Sequence, residues 1–132
     1  MVVVQEIMTR NPYAIEADQP VRAAMQRLIS EDIRHLPVLD HGTLVGMLSD
    51  RDVRSIAAAT LTGEVGDQLS APVSELMTSD PISVDPEADI GEVIDLMIEN
   101  KVGALPVVAE DRLIGIVSYV DVLRYAKSQL EE

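Results

Sequence analysis

The sequence predicts an α+β protein made of two copies of one unit. Three observations carry that expectation: an internal repeat at constant offset, a switch between helical and strand periodicity inside each copy, and an aliphatic composition large enough for a core. Met8-Thr9 recurs as Met77-Thr78, Pro12 as Pro81, Leu36-Pro37-Val38 as Leu105-Pro106-Val107, Gly46 as Gly115, Ser49 as Ser118 and Asp52-Val53 as Asp121-Val122. Every pair is 69 residues apart, as Met77 is from Met8, and residues 4–57 laid over 73–126 without a gap give 15 identities in 54 positions. Matches of that kind, many at Pro, Gly and Asp, mark a tandem duplication. The first half with its connector is expected at residues 1–69 and the second at 70–132.

Each element follows from local pattern. A short β-like piece around Tyr13 to Ile15 precedes "ADQP", which offers Asp18 as an N-cap and Pro20 near the first turn. Val21, Ala24, Met25, Leu28 and Ile29 then recur at helical spacing, and the second copy repeats the stripe with Ile90, Val93, Ile94, Met97 and Ile98. Both stripes are read as core-facing, methionines included. "HLPVLDHGTLVGML" and "ALPVVAEDRLIGIV" are each two apolar runs split by a polar turn, at Gly42 in one copy and Glu110-Asp111 in the other, and so read as strand pairs. Residues 50–57 and 119–128 read as closing helices. The stretch "AATLTGEVGDQLSAP", rich in Gly, Thr and Ser, reads as the connector. The order per copy is therefore β-α-β-β-α. Helices confined to one face leave a half-buried sheet, so the two copies are expected to pack sheet to sheet as a sandwich with a pseudo-twofold axis.

Composition narrows the function. Apolar residues make up 47% of the 132, with three tyrosines and no Phe or Trp, so the interior should be aliphatic. Ten basic against twenty-three acidic residues give a net charge of −13, a field that repels phosphate backbones and argues against nucleic acid as a partner. No apolar run approaches the roughly 20 residues of a membrane span. The opening "MVVVQEIM" lacks the basic region of an export signal. The absence of cysteine excludes disulfides and thiolate metal sites and suits a reducing cytoplasm.

"IMTRNPYAI" and "IRHLPVLDHGTLVGMLSDRDV", with their partners "LMTSDPISV" and "VGALPVVAEDRLIGIVSYVDV", resemble the two halves of a CBS-domain pair, or Bateman module, over essentially the whole chain. The doubled pattern M-T-x-x-P, L-P-V, G-x-x-S-x-x-D carries the resemblance. It implies tandem repeats that bind an adenosine derivative such as AMP, ADP, ATP or S-adenosylmethionine between them. It also implies a homodimer and regulation of a protein partner in response to the ligand. No catalytic domain is expected: Asp50 and Asp52 lie two apart and do not converge on one helix face, and no nucleophile–base pair is legible.

The resemblance gives Asp52 and Asp121 the ribose, whose two hydroxyls an ionised carboxylate can accept together. Ser49 and Ser118 are then directed at the α-phosphate, where a helix start adds a favourable field. Seen once, S-x-x-D is an ordinary capping pattern, and the two roles can coexist. Ile15, Val84, Met47 and Ile116 are the matching adenine-lining positions, holding the base by aliphatic contact rather than stacking, which implies modest affinity. Phosphate-binding cations differ between the copies: Arg34, His35 and Arg51 in the first correspond to Gly103, Ala104 and Val120 in the second. In the family, cations at these positions serve the ligand whose ribose is held by the other repeat. Two unequal sites are therefore expected, with the phosphate-rich ligand preferring the one at Asp121. The bland alternatives are that Arg51 neutralises Asp50 and Asp52, and that Arg34 and His35 are solvated turn residues. A metal role for His35 is not expected, since the only other histidine, His41, sits in a hairpin turn. The rival to ligand sensing is a purely structural dimerisation or protein-interaction module.

Overall fold

A computed structural model describes residues 2–62 and 68–131, apart from the side chains of residues 57 and 59–62. The chain forms two compact units, Tyr13–Pro81 on one hand and Met1–Pro12 with Ile82–Glu132 on the other.

The contiguous unit holds strand β2 (Ile15–Glu16), helix α1 (Val21–Ser30), strands β3 (His35–Asp40) and β4 (Thr43–Ser49), helix α2 (Asp50–Thr62) and strand β5 (Thr78–Ser79). Its sheet runs β2-β3-β4-β5. Strand β2 pairs parallel to β3, with Ile15 opposite Val38, and the other neighbours are antiparallel. The second unit repeats this with β1 (Thr9–Arg10), α3 (Ile90–Asn100), β6 (Ala104–Ala109), β7 (Arg112–Ser118) and α4 (Tyr119–Leu130), the sheet running β1-β7-β6. Here the counterpart of β2 is a single parallel bridge from Val84 to Val107. Each unit is thus α+β with the order the periodicity predicts. Even the register shift recurs, between Val38 and Leu39 and between Val107 and Val108.

Each core is aliphatic. Leu36, Val38, Leu48, Val53 and Val73 are buried with Ala24 and Leu28 in one unit, and Val4, Met8, Val84, Ile90, Val93, Leu105, Val107 and Val117 in the other. Full burial of a Leu or Val side chain contributes about 1.5–3 kcal/mol. The repeated proline fits because the strand beside it is so short. Pro106 accepts from the Val84 N–H at 3.0 Å, and the Val108 N–H donates to the Val84 carbonyl at 2.9 Å. The proline nitrogen, which has no hydrogen, faces this same edge, where one bridging residue asks nothing more of it.

Three expectations need correction. Asp18 does not cap α1: the N-cap is Pro20, in extended conformation and without a side-chain cap bond, because the helix begins two residues later than an Asp18 cap requires. Ile29 and Ile98 are not core: they are 74% and 68% exposed. At 3.6 residues per turn each lies about 90° from the centre of its stripe, beyond the face the sheet can cover. The proposed connector begins inside α2, which extends to Thr62, and its last part forms a 3-10 turn at Gln68–Ser70; residues 63–67 lie outside the described part.

Candidate functional site

The features singled out in the sequence gather where the second strand of each hairpin turns into its closing helix. At the β7–α4 junction Ser118 is the N-cap, extended at φ −107° and ψ 166°. Its hydroxyl accepts from the Asp121 N–H at 3.3 Å, and Asp121 Oδ2 accepts from the Ser118 N–H at 2.9 Å and from its Oγ at 3.1 Å. This reciprocal box satisfies two of the amides that a helix start leaves open. The junction is closed further by the Tyr119 N–H donating to the Gly103 carbonyl at 2.9 Å. Asp121 is only 7% exposed, and its second oxygen, Oδ1, lies 3.5 Å from Nη1 of Arg124.

The β4–α2 junction is built the same way. Asp52 Oδ2 accepts from the Ser49 N–H at 3.0 Å, the Asp52 N–H donates to Ser49 Oγ at 3.2 Å, and the Asp50 N–H donates to the Arg34 carbonyl at 2.8 Å. His35 faces Ser49 across the strand pair, so Arg34, His35, Ser49 and Asp52 share one end of the hairpin. His35 is half-buried, and burial holds its imidazole below the ordinary value of 6.5; Asp50 and Asp52 pull the other way, while Arg34 adds to the lowering. Around neutrality it is therefore mostly a neutral ring with one N–H to donate, rather than the cation expected from the sequence. Asp50 is paired to Arg54 at 3.5 Å, not to Arg51, which is exposed on the first turn of α2.

The adenine-lining candidates lie on the strands of the two sheets or bridge to them. Ile15 lies next to Val38 and packs on the edge of its core, and Met47 faces Pro37 and Thr78. In the other unit Val84 is buried in the core, and Ile116 faces Pro106 and Thr9. Among the described residues no group of three or more His, Cys, Asp or Glu is placed to hold a metal, and no helix is long and apolar enough to cross a membrane.

Two contributions escaped the sequence reading. One is Arg124, three residues beyond Asp121 and so one helical turn away, a spacing that S-x-x-D-x-x-R displays. The other is the role of the repeated Met-Thr. A Cβ built on Gly46 would collide with the side chain of Met77 and lie 3.0 Å from the Thr78 carbonyl oxygen; on Gly115 it would meet Met8 and lie 3.0 Å from the Thr9 carbonyl oxygen. The glycine in front of each junction is thus needed for a neighbouring strand to cross it closely.

Comparison with known proteins finds a matching family and similar structures. The profile of the family described as CBS domain matches residues 4–59 and 73–128. The chain is 30% identical over 118 residues to the CBS domain-containing protein YhcV of Bacillus subtilis, covering 89% of this chain and 81% of that protein. Among solved structures it superposes on CBSX2 of Arabidopsis thaliana, crystallised in complex with AMP, with a TM-score of 0.85, 30% identity and full coverage of both chains. It also superposes on the CBS domain pair of protein MJ0100, in complex with 5-methylthioadenosine and S-adenosyl-L-methionine, with a TM-score of 0.83, 26% identity and 98% coverage of both.

Proposed function

Because the chain belongs to the CBS-domain family, with two such domains in tandem, we propose that it is a cytoplasmic regulatory module that binds an adenosine derivative, AMP, ADP, ATP or S-adenosylmethionine, and signals by a change of conformation or self-association. CBS-pair proteins are generally regulatory rather than catalytic, and two similar structures carry AMP or S-adenosylmethionine. The observation that carries the reading is the Asp121 carboxylate. It is buried, held by Ser118 through one oxygen, and its other oxygen lies 3.5 Å from an exposed arginine, an arrangement suited to accepting the paired hydroxyls of a ribose.

The finer assignments rest on residue matching. Asp52 and Asp121 take ribose, Ser49 and Ser118 the α-phosphate, Arg34, His35 and Arg51 the phosphates of the ligand held at Asp121, and Ile15, Met47, Val84 and Ile116 the base. Ligand binding acts as a signal only if it distinguishes two states, and a homodimer supplies a second state to select. Ile29 and Ile98, exposed and identical at equivalent positions, support self-association.

The test is thermal unfolding with AMP, ATP and S-adenosylmethionine. A ligand at ten times its Kd adds about 1.4 kcal/mol and should raise the midpoint by roughly 3–6 °C. Asp121→Ala should abolish the larger shift, and Asp52→Ala should spare it. No shift with any of the three would favour the structural dimerisation module, a reading supported by the completeness of the two capping boxes without ligand.

A further inference from the structure

Among the described residues Asp121 is the one buried charged side chain, and its two oxygens are used differently. Oδ2 takes both Ser118 donors, at 2.9 and 3.1 Å. Oδ1 has Arg124 Nη1 at 3.5 Å, too long for a good hydrogen bond, from a side chain that is 74% exposed. A pair of that length, with its arginine mostly in solvent, is a weak electrostatic contact and easily exchanged. The first repeat has a different residue at the matching position. Position 55, which corresponds to 124, is a serine whose Oγ donates to the Arg51 carbonyl at 3.1 Å, and the neighbouring Arg54 reaches Asp50 instead.

From this difference we infer that Arg124 is a specificity-determining residue of the Asp121 half-site. The inference rests on the nucleotide-binding reading above. Arg124 pairs with Oδ1 and yields that oxygen to a vicinal diol, whose O–H groups make shorter and stronger bonds to a carboxylate than the long ion pair does. The displaced guanidinium stays tethered one turn along α4 and places a positive charge beside the bound molecule. The second repeat supplies no other at the matched positions, which are Gly103, Ala104 and Val120. In a chain of net charge −13 that charge matters most to an anionic ligand. Arg124 therefore opposes a neutral nucleoside slightly, by occupying its acceptor, and favours a phosphorylated one.

Calorimetric titration of the full chain with adenosine and with ATP tests this. Arg124→Gln should weaken ATP about fivefold, the size expected for losing one partly exposed charge contact, while adenosine binds equally or up to about twofold tighter. Arg124→Lys should restore most of the ATP affinity, and the control Arg54→Gln should change neither ligand. An unchanged ATP-to-adenosine ratio in Arg124→Gln, or an equal loss of both, overturns the inference while leaving nucleotide binding standing. If the unaltered protein binds neither compound, the functional reading fails and takes the inference with it.

Discussion

The β4–α2 and β7–α4 junctions share a backbone and differ in charge. Both have a Ser–Asp box, a preceding glycine crossed closely by a Met-Thr strand, and a carbonyl from the residue before the first strand tied to the first helical amide. Around that common frame one carries Arg34, His35 and Arg51, and the other carries Arg124 on a more deeply buried carboxylate. The comparison separates two kinds of constraint after duplication. Residues that shape the main chain stay paired because each copy needs the same turn, whereas the charged side chains set on that frame are free to diverge.

The sharpest way to break the shared part is at the glycines. Gly46→Val and Gly115→Val should each cost about 2–3 kcal/mol, since the added side chain must displace a methionine and a strand carbonyl at once. Urea midpoints of the two variants should fall together. If one is tolerated, the two crossings are not equivalent.

A smaller effect separates the halves by pH. His35 has Ala104 as its counterpart, so only one copy titrates there. Its folded pKa lies below that of the unfolded chain, so below about 6.5 the unfolded state takes up a proton that the folded state resists. That contribution to stability is fully present above about 6.5 and is lost as pH falls through the folded value. Stability should therefore drop as pH falls below about 6.5, and His35→Gln should flatten the profile there. An unaltered profile in the variant would assign the drop to other groups.

The smallest effect sits in the hairpin turns. Both central residues of each have positive φ: His41 at 51° and Gly42 at 89°, Glu110 at 51° and Asp111 at 64°. Such a turn favours glycine at its second position, which only the first copy has. Asp111→Gly should stabilise by about 0.5 kcal/mol, seen as a higher melting midpoint, whereas Gly42→Asp should destabilise.

Much of this was legible in the sequence because it is written locally. The α1 and α3 stripes, the two hairpins and the helix starts at S-x-x-D are each set by residues a few positions apart, and they were found where expected except for Ile29 and Ile98. Membership of the CBS-domain family followed from the same local motifs. The Asp18 cap failed for want of geometry: an acid two residues before a proline that itself begins the helix looks like a cap and is not placed as one. Ile29 and Ile98 misled because periodicity marks a face without saying how wide a partner will cover it. The outer oxygen of Asp121 was illegible because burial depends on the whole unit. The partner of each Met-Thr strand was hidden for a different reason, since a repeat in sequence does not say which copy a strand will join.

The placement of Thr9 against Ile116, and of Met8 over Gly115, has a consequence for how the chain is made. On a ribosome the unit spanning residues 13–81 can close as soon as it emerges. The first dozen residues, with Val4 and Met8 still uncovered, must wait for roughly another hundred to be added, about 5–20 s at ordinary elongation rates. A circularly permuted gene that begins at Ile82 and joins the old ends would remove that wait, because each unit would then be translated as one uninterrupted stretch.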